Sequence, residues 1–362
     1  MTRSDSQTAI SELGAMRRAI ALAERGWGRV HPNPLVGAVV IAADGAVVAE
    51  GAHEEFGGPH AERAAITAAA SAAHGATLVT TLEPCTHHGK QPPCTDLIIA
   101  SGVVRVIVGL RDPNPEAAGG LEKLRAAGLK VVEGVAADEV ARQNFRFLRR
   151  FSETGRPFVA VKLAVTLDGF IADDTGRSQW ISGDAAREWV HRERAGYAAI
   201  AVGAETAIRD DARLTVRGSV TPRVAPTKVI FDRSGRMREH HGIFADLPSV
   251  PVVVIHGPET PPALTPSSGL TLLPAATLAE ALGGLRALGI DAVLVEGGGR
   301  LAGKLLSEEL VDRVYQLQAP VWLGAGRPAW ADLGARSIDS ATRWHTVDRR
   351  DLGDDTLLVM EP

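Results

Sequence analysis

The chain alternates between two hydrophobic periods. Leu13, Met16 and Ile20 recur at helical spacing, and Gly26 ends that run. Residues 35–42 read as a strand, Asp44-Gly45 as a tight turn, and residues 46–51 as the hairpin partner. Pro59 opens an Ala-rich helix running to Ala73, a position where proline's missing N–H is tolerated. Strands at 77–82, 103–110 and 130–135 then alternate with helices near 94–100, 121–127 and 138–150. Strands interleaved with helices predict a sheet covered on both faces.

The polar stretch Ser152-Glu-Thr-Gly-Arg-Pro157 interrupts this pattern and reads as a linker, giving domains at 1–151 and 157–362. Phe158–Val165 restarts the pattern as an alternating strand. Further strands are predicted at 200–202, 228–232, 252–255, 292–295 and 314–319, with helices between several of them. Residues 222–226 and 258–268 are proline-rich and read as surface loops.

Composition narrows the function. A length of 362 residues with 45% hydrophobic and 23% charged positions fits two globular domains and excludes a largely disordered chain. Thirty-nine basic against 43 acidic side chains give a net charge of −4, which disfavours non-specific nucleic-acid binding. The first ten residues hold no apolar core of signal-peptide length, and no apolar run is long enough to span a bilayer. A cytoplasmic protein with neither a membrane nor a nucleic-acid partner is expected. Two cysteines are too few for a disulfide framework.

Both cysteines fall in Leu82-Glu-Pro-Cys85-Thr-His-His-Gly-Lys-Gln-Pro-Pro-Cys94, and Pro59-His60-Ala-Glu62 lies upstream. His60, Cys85 and Cys94 supply one imidazole and two thiolates, which suit a tetrahedral zinc with one corner left for water. His60 and Cys94 each follow a proline at a predicted helix start, where the helix dipole favours an anionic thiolate. Glu62, two residues after His60, is close enough to relay a proton from that water to an amino-substituted heterocycle and its leaving ammonia. The pattern fits hydrolytic deamination, although the cysteines stand nine positions apart, wider than in the nucleic-acid-editing enzymes. Two other readings remain at this point: a structural zinc completed by His87 or His88, and a Cys85–Cys94 disulfide.

In the second half, Lys162 sits in a predicted strand, where a buried lysine needs a partner or a function. Trp180 reads equally well as a core residue or a ligand contact. Val293-Leu-Val-Glu296-Gly-Gly-Gly-Arg-Leu-Ala-Gly303 runs from a strand through consecutive glycines into a helix, the composition of a phosphate cradle. Gly297-x-Gly299-x-x-Ala302 formally fits a dinucleotide fingerprint, but it lies too late in the chain to open a Rossmann unit.

His60-Ala-Glu62, the stretch 81–94, His31-Pro-Asn-Pro-Leu-Val-Gly37 and Arg111-Asp-Pro-Asn-Pro115 together resemble the bifunctional riboflavin-biosynthesis deaminase/reductase family. The resemblance covers nearly the whole chain. It implies an α/β protein with an N-terminal cytidine-deaminase-like three-layer α/β/α domain and a C-terminal dihydrofolate-reductase-like α/β domain. The implied cofactors are zinc and NADPH, the substrate is a small phosphorylated pyrimidine, and the assembly is a homo-oligomer. By matching positions, Asn33, His53, His87 and Lys90 would contact the deaminase substrate. Lys162, Ser178, Arg194, Leu214, Arg217 and Glu296 would contact the reductase substrate. Ala164, Trp180, Thr206, Asp210 and the run Gly298, Gly299, Arg300, Leu301, Ala302, Gly303 and Lys304 would hold NADPH. Two departures stand out: Ala118-Gly-Gly120 is a residue shorter than the family's turn, and Asp232-Arg233 replaces a small hydroxyl residue with a cation.

Two rivals carry distinct expectations. A nucleic-acid-editing deaminase needs a basic channel with stacking aromatics, and only 4% of residues are aromatic. A metal-stapled regulatory protein without catalysis has no need for Glu62 beside the metal.

Overall fold

The structure is a computed structural model that describes residues 10–89, 91–330, 333 and 337–362. The chain divides into two compact units, Met1–Ser152 and Glu153–Pro362.

In the first unit, α1 (Glu12–Ala23) starts at Ser11, whose side chain accepts a hydrogen bond from the Gly14 N–H. There follow β1 (Gly37–Ile41), β2 (Val47–Ala52), α2 (Ala61–Ala69), β3 (Thr77–Leu82), α3 (Cys94–Ala100), β4 (Arg105–Leu110), α4 (Gly120–Ala126), β5 (Lys130–Glu133), α5 (Ala137–Gln143) and α6 (Phe145–Arg150). The five strands order as β2-β1-β3-β4-β5, with β1 antiparallel to both neighbours and β3, β4 and β5 parallel.

The pleat sends alternate residues of β1 to opposite faces. Ala38 and Val40 pack with Ala65, Ile66, Ile98 and Leu124, whereas Val39 and Ile41 pack with Met16, Ala19 and Leu22 of α1. This is the three-layer arrangement expected of the first unit.

Several boundaries differ from the sequence reading. The helix predicted from Pro59 begins at Ala61, because His60 takes extended angles as its N-cap. The helix predicted over 138–150 is broken at Asn144, which is 2% exposed. Its side chain turns to the Leu35 backbone, accepting from the N–H at 2.8 Å and donating to the carbonyl at 3.0 Å. That pair of bonds fixes the segment carrying Asn33.

The second unit contains β6 (Phe158–Val165), β7 (Phe170–Ala172), α7 (Asp184–Arg194), β8 (Ala199–Gly203), α8 (Ala204–Arg209), β9 (Thr227–Asp232), β10 (Val252–His256) and β11 (Leu270–Pro274). It continues through α9 (Leu278–Ala287), β12 (Ala292–Glu296), α10 (Gly299–Ser307), β13 (Arg313–Gln318), β14 (Arg327–Pro328), β15 (His345–Leu352) and β16 (Asp355–Glu361). Nine strands form one sheet, ordered β11-β10-β9-β8-β12-β6-β13-β16-β15. The first seven run parallel, and β16 and β15 add an antiparallel hairpin at one edge.

The expected alternation of Phe158–Val165 gives way to near-continuous burial, because this inner parallel strand is covered on both faces. One core gathers Val159, Val161, Val293 and Leu305, and a second gathers Ile200, Val202, Ile230, Met237 and Val254. Beneath α7, the Tyr315 hydroxyl donates to Glu193 at 2.9 Å and lies 3.0 Å from the Tyr197 hydroxyl. This buried network holds the end of α7 against β13 and sets the direction of the next residue, Arg194. Among the described residues, no helix is long and apolar enough to cross a membrane.

Replacing Asn144 with Leu strands the buried N–H and C=O of Leu35. The expected cost is about 2 kcal/mol or more, since each buried unsatisfied group costs roughly 1–3 kcal/mol. Chemical denaturation of the full chain should show a lower midpoint for the first unit's transition, with the second unit's unchanged.

Candidate active sites

Three chain segments deliver the metal donors of the first unit. His60 caps α2, Cys85 follows the carboxyl end of β3, and Cys94 opens α3. The turn leading into Cys85 is fixed by Glu83, 4% exposed, whose two carboxylate oxygens accept the backbone N–H groups of Asp112 and Leu121, each at 3.1 Å. Gly120 closes against the same loop, where an added Cβ would fall 2.0 Å from the Pro84 carbonyl oxygen.

The donors fit zinc. Nδ1 of His60 lies 3.6 Å from Cys85 Sγ and 3.4 Å from Cys94 Sγ. Tetrahedral zinc with bonds of ~2.3 Å to sulfur and ~2.05 Å to nitrogen places such donors about 3.6 Å apart. Among the described residues, no other His, Cys, Asp or Glu joins the group, so neither His87 nor His88 completes a closed structural site. Both cysteines are free, which removes the disulfide reading.

The electrostatics agree. Cys85 is driven down to about 4 by a hydrogen bond with Cys94, against its own burial and with help from His60. Cys94 is pushed up in turn by that shared hydrogen bond and by burial. Two thiols thus compete for one proton, a conflict that a divalent cation resolves by taking both as thiolates. Glu62 is 4% exposed, and its Oε2 is 3.7 Å from Cys94 Sγ. Burial raises its carboxyl to about 7, with the Cys85 charge adding to the effect and His60 opposing it. A carboxyl poised there exchanges protons readily near neutral pH.

Around this centre, Nδ2 of Asn33 lies 3.1 Å from Nε2 of His53, and Nδ1 of His53 lies 2.9 Å from the Pro59 carbonyl. The His53 and His60 rings meet edge to face, with centroids 5.4 Å apart. Asn33 and His53 therefore stand beside the metal donors. His87 shares the Cys85 loop, and its buried Nδ1 finds no hydrogen-bond partner among the described residues. Lys90 lies outside the described residues.

In the second unit, a cavity of about 1360 Å³ opens along the carboxyl ends of the parallel strands. That is where ligands bind in open α/β sheets. Drug-sized ligand sites are usually ~300–1,000 Å³, so this one has room for two ligands side by side. Lys162, Ala164, Ser178, Trp180, Arg194, Thr206, Asp210, Leu214 and Arg217 line it, as do Glu296, Gly298, Gly299, Arg300, Leu301 and Lys304. Ala302 and Gly303 do not; they face the buried side of α10. Arg233 also lines the cavity. Trp180 is 70% exposed and is therefore no core residue; the Arg187 guanidinium sits 4.6 Å above its ring.

The strand lysine is half-buried rather than buried, and it has its partner. Lys162 and Glu296 face each other in register on β6 and β12, with Nζ 3.4 Å from Oε2. Arg194 closes on the same carboxylate with two bonds, of 2.5 and 2.9 Å. Burial alone would raise the Glu296 carboxyl, but Arg194 and Lys162 outweigh it and hold it down at about 2. Arg194 also donates to the Thr215 carbonyl at 2.8 Å, so its donors are largely committed. The Arg217 guanidinium donates only to the Thr215 hydroxyl, at 2.9 Å, and no carboxylate among the described residues pairs with it. Periodicity and spacing gave no hint of Arg187, Glu205 or Arg327, which line the cavity from separate elements.

A five-stranded sheet with a His-Cys-Cys tripod and an adjoining buried carboxyl defines a cytidine-deaminase-like domain, here followed by a second α/β unit with a large ligand cavity. Residues 11–110 match the cytidine and deoxycytidylate deaminase zinc-binding region, and residues 157–358 match the RibD C-terminal domain. The chain is 39% identical over 350 residues to the riboflavin biosynthesis protein RibD of Aquifex aeolicus, covering 96% of this chain and 97% of that protein. It is 37% identical over 361 residues to RibD of Escherichia coli, covering 95% and 97%. Among solved structures, a diaminohydroxyphosphoribosylaminopyrimidine deaminase/5-amino-6-(5-phosphoribosylamino)uracil reductase from Thermotoga maritima superimposes with a TM-score of 0.80. It shares 39% identity and covers 97% of this chain and 98% of its own. RibD of Acinetobacter baumannii gives 0.80 at 35% identity, with the same coverage. The chain belongs to the RibD family of riboflavin biosynthesis proteins, the family its motifs resemble.

Two measurements test these sites. Elemental analysis should find zinc in the wild type and in Asn33→Ala, whereas Cys85→Ala and Cys94→Ala should each purify without it. Glu296 is depressed in the folded state, so its stabilising contribution is complete above about pH 4.5 and is lost as pH falls toward 2. The second unit's denaturation midpoint should therefore fall more steeply with acid in the wild type than in Glu296→Gln.

Proposed function

We infer that this chain is a bifunctional enzyme of riboflavin biosynthesis, a zinc-dependent deaminase followed by an NADPH-dependent reductase. The first unit removes the amino group at ring carbon 2 of 2,5-diamino-6-ribosylamino-4(3H)-pyrimidinone 5′-phosphate as ammonia. The second reduces the ribosyl side chain of that product, giving 5-amino-6-ribitylaminouracil 5′-phosphate. The observation that carries the reading is the burial of Glu62 beside an open three-donor metal site, because a structural zinc requires no such carboxyl.

His60, Cys85 and Cys94 would hold the zinc, which would supply Lewis acidity at this centre. Glu62 accepts the water's proton, delivers it to the ring nitrogen, and then assists departure of ammonia. Asn33 and His53, locked to each other and to the Pro59 carbonyl, orient the pyrimidine. His87 and Lys90 complete the contacts to the base and its ribosyl phosphate.

Ala164, Trp180, Thr206 and Asp210, with Gly298, Gly299, Arg300, Leu301 and Lys304 of the glycine turn, would hold NADPH, which would supply the hydride. Glu296 and Arg194 hold each other and frame the end of the cavity where Lys162 approaches the reacting ribose. Ser178 and Leu214 line the same substrate end, and Arg217, which pairs with no carboxylate among the described residues, binds the substrate phosphate. The reading includes the cytoplasm as the place of action, where the free thiols stay reduced, and a homo-oligomer as the assembly.

Mass spectrometry of the diaminopyrimidine phosphate incubated with the enzyme should show the deaminated product alone without NADPH, and the ribityl product with it. Absence of the first mass change in zinc-loaded protein overturns the reading. Glu62→Gln should keep its zinc but lose ammonia release by at least about a hundredfold, the scale of general acid–base catalysis. Arg217→Ala should raise the reductase KM by about tenfold or more, the usual worth of a charge-assisted hydrogen bond, and leave deamination intact.

A further inference from the structure

We propose that Arg327 clamps the diphosphate of the dinucleotide in the second unit's cavity and that the Glu205 carboxylate holds its place until the dinucleotide arrives. The proposal rests on the reductase reading above and names a ligand contact outside the resemblance's list.

Arg327 comes from β14, remote in sequence from the glycine turn, yet the fold presses the two together. A Cβ added at Gly299 would lie 2.7 Å from the Ala329 carbonyl oxygen and 2.8 Å from that of Pro328. The segment is anchored behind the turn: β14 pairs with β7, and the Ala329 N–H donates to the Gly169 carbonyl at 2.9 Å. Gly297 and Gly298 take φ of 67° and 78°, a left-handed path that a side chain would resist. The bare turn leaves its backbone open to an anion, with the Thr206 hydroxyl alongside.

Glu205 precedes Thr206 on α8. It accepts from Arg327 at 3.0 Å through one oxygen and lies 3.5 Å from Arg300 through the other. One carboxylate thus bridges two guanidiniums that line the same cavity as the glycine turn. A diphosphate presents the same kind of target, anionic oxygens in adjacent pairs, with more charge. Arg209 adds to this end: its Nη1 and the Nη2 of Arg327 both converge on Gly176, at 2.7 and 2.8 Å from where a Cβ would stand. Arg209 is balanced by Asp210 at 3.1 Å, so the excess cation belongs to the Arg327–Glu205–Arg300 group.

Exchange is physically easy. The Glu205 side chain is 45% exposed and that of Arg327 43%, and such pairs are worth little to stability. The carboxylate therefore swings into solvent at small cost, and both guanidiniums gain a stronger acceptor.

An ion pair that served only to pin β14 to α8 would predict the same consequence for losing either partner. The placeholder predicts opposite consequences. Binding to the full-length protein is measured by titration calorimetry with NADPH, with ADP, and with 2′-AMP, which lacks the diphosphate. Arg327→Ala should weaken NADPH and ADP by at least about tenfold, the worth of a charge-assisted hydrogen bond, and 2′-AMP by less than about twofold. Glu205→Gln, which removes the competing anion, should tighten NADPH and ADP, and Arg327→Lys should fall between wild type and Arg327→Ala because it keeps the charge without the fork.

Unchanged NADPH affinity in Arg327→Ala overturns the clamp, as does equal weakening of all three ligands. Weaker NADPH binding by Glu205→Gln overturns the placeholder, and this variant decides that point even if Arg327→Ala folds poorly. If the wild type itself binds no NADPH, the reductase reading fails and the clamp with it.

Discussion

A proton shortage organises the first unit. Two thiols and a carboxyl are buried beside a half-buried imidazole, and the thiols do not readily both ionise without a cation among them. The sheet delivers His60, Cys85 and Cys94 from three separate places, and Glu83 and Asn144 brace the loops that frame them. The polypeptide thus carries an unfavourable arrangement that a single ion turns favourable, and Glu62 shares its proton balance.

The second unit meets the same difficulty by different means. The buried carboxylate at the carboxyl end of β12 is neutralised from within the chain. Glu296 is matched by Lys162 in register and by Arg194 from α7, so the carboxylate stays ionised inside the protein. Among the described residues, Arg217 at one end of the cavity pairs with no carboxylate, and beside the glycine turn two guanidiniums share one. The surplus of positive charge is placed where phosphorylated ligands would sit.

Much of this was legible in the sequence. The metal donors sit in short, proline-flanked motifs whose spacing survives folding, and alternating strands and helices in the first half gave its layers. The break at Asn144 was not legible, because its cause is a pair of bonds to residue 35, far off in the sequence. The β15–β16 hairpin was missed as well: His345–Leu352 is charged and largely exposed, an edge strand without the apolar alternation that would announce it. Arg187, Glu205 and Arg327 carry no motif, since their roles arise only when distant elements meet. The family resemblance supplied most of the reductase residues that line the cavity, and it named Ala302 and Gly303 as well, which the helix turns inward.

Gly120 shows how tightly the metal loop is bound to its surroundings. With no side chain there, the start of α4 comes down directly on the Pro84 carbonyl, one residue before a metal-binding sulfur. Any bulk at that position would act as a wedge under the sulfur, altering coordination from a site that touches neither ion nor pyrimidine. The turn that ends at Gly120 is therefore a remote adjusting screw for the position of that sulfur.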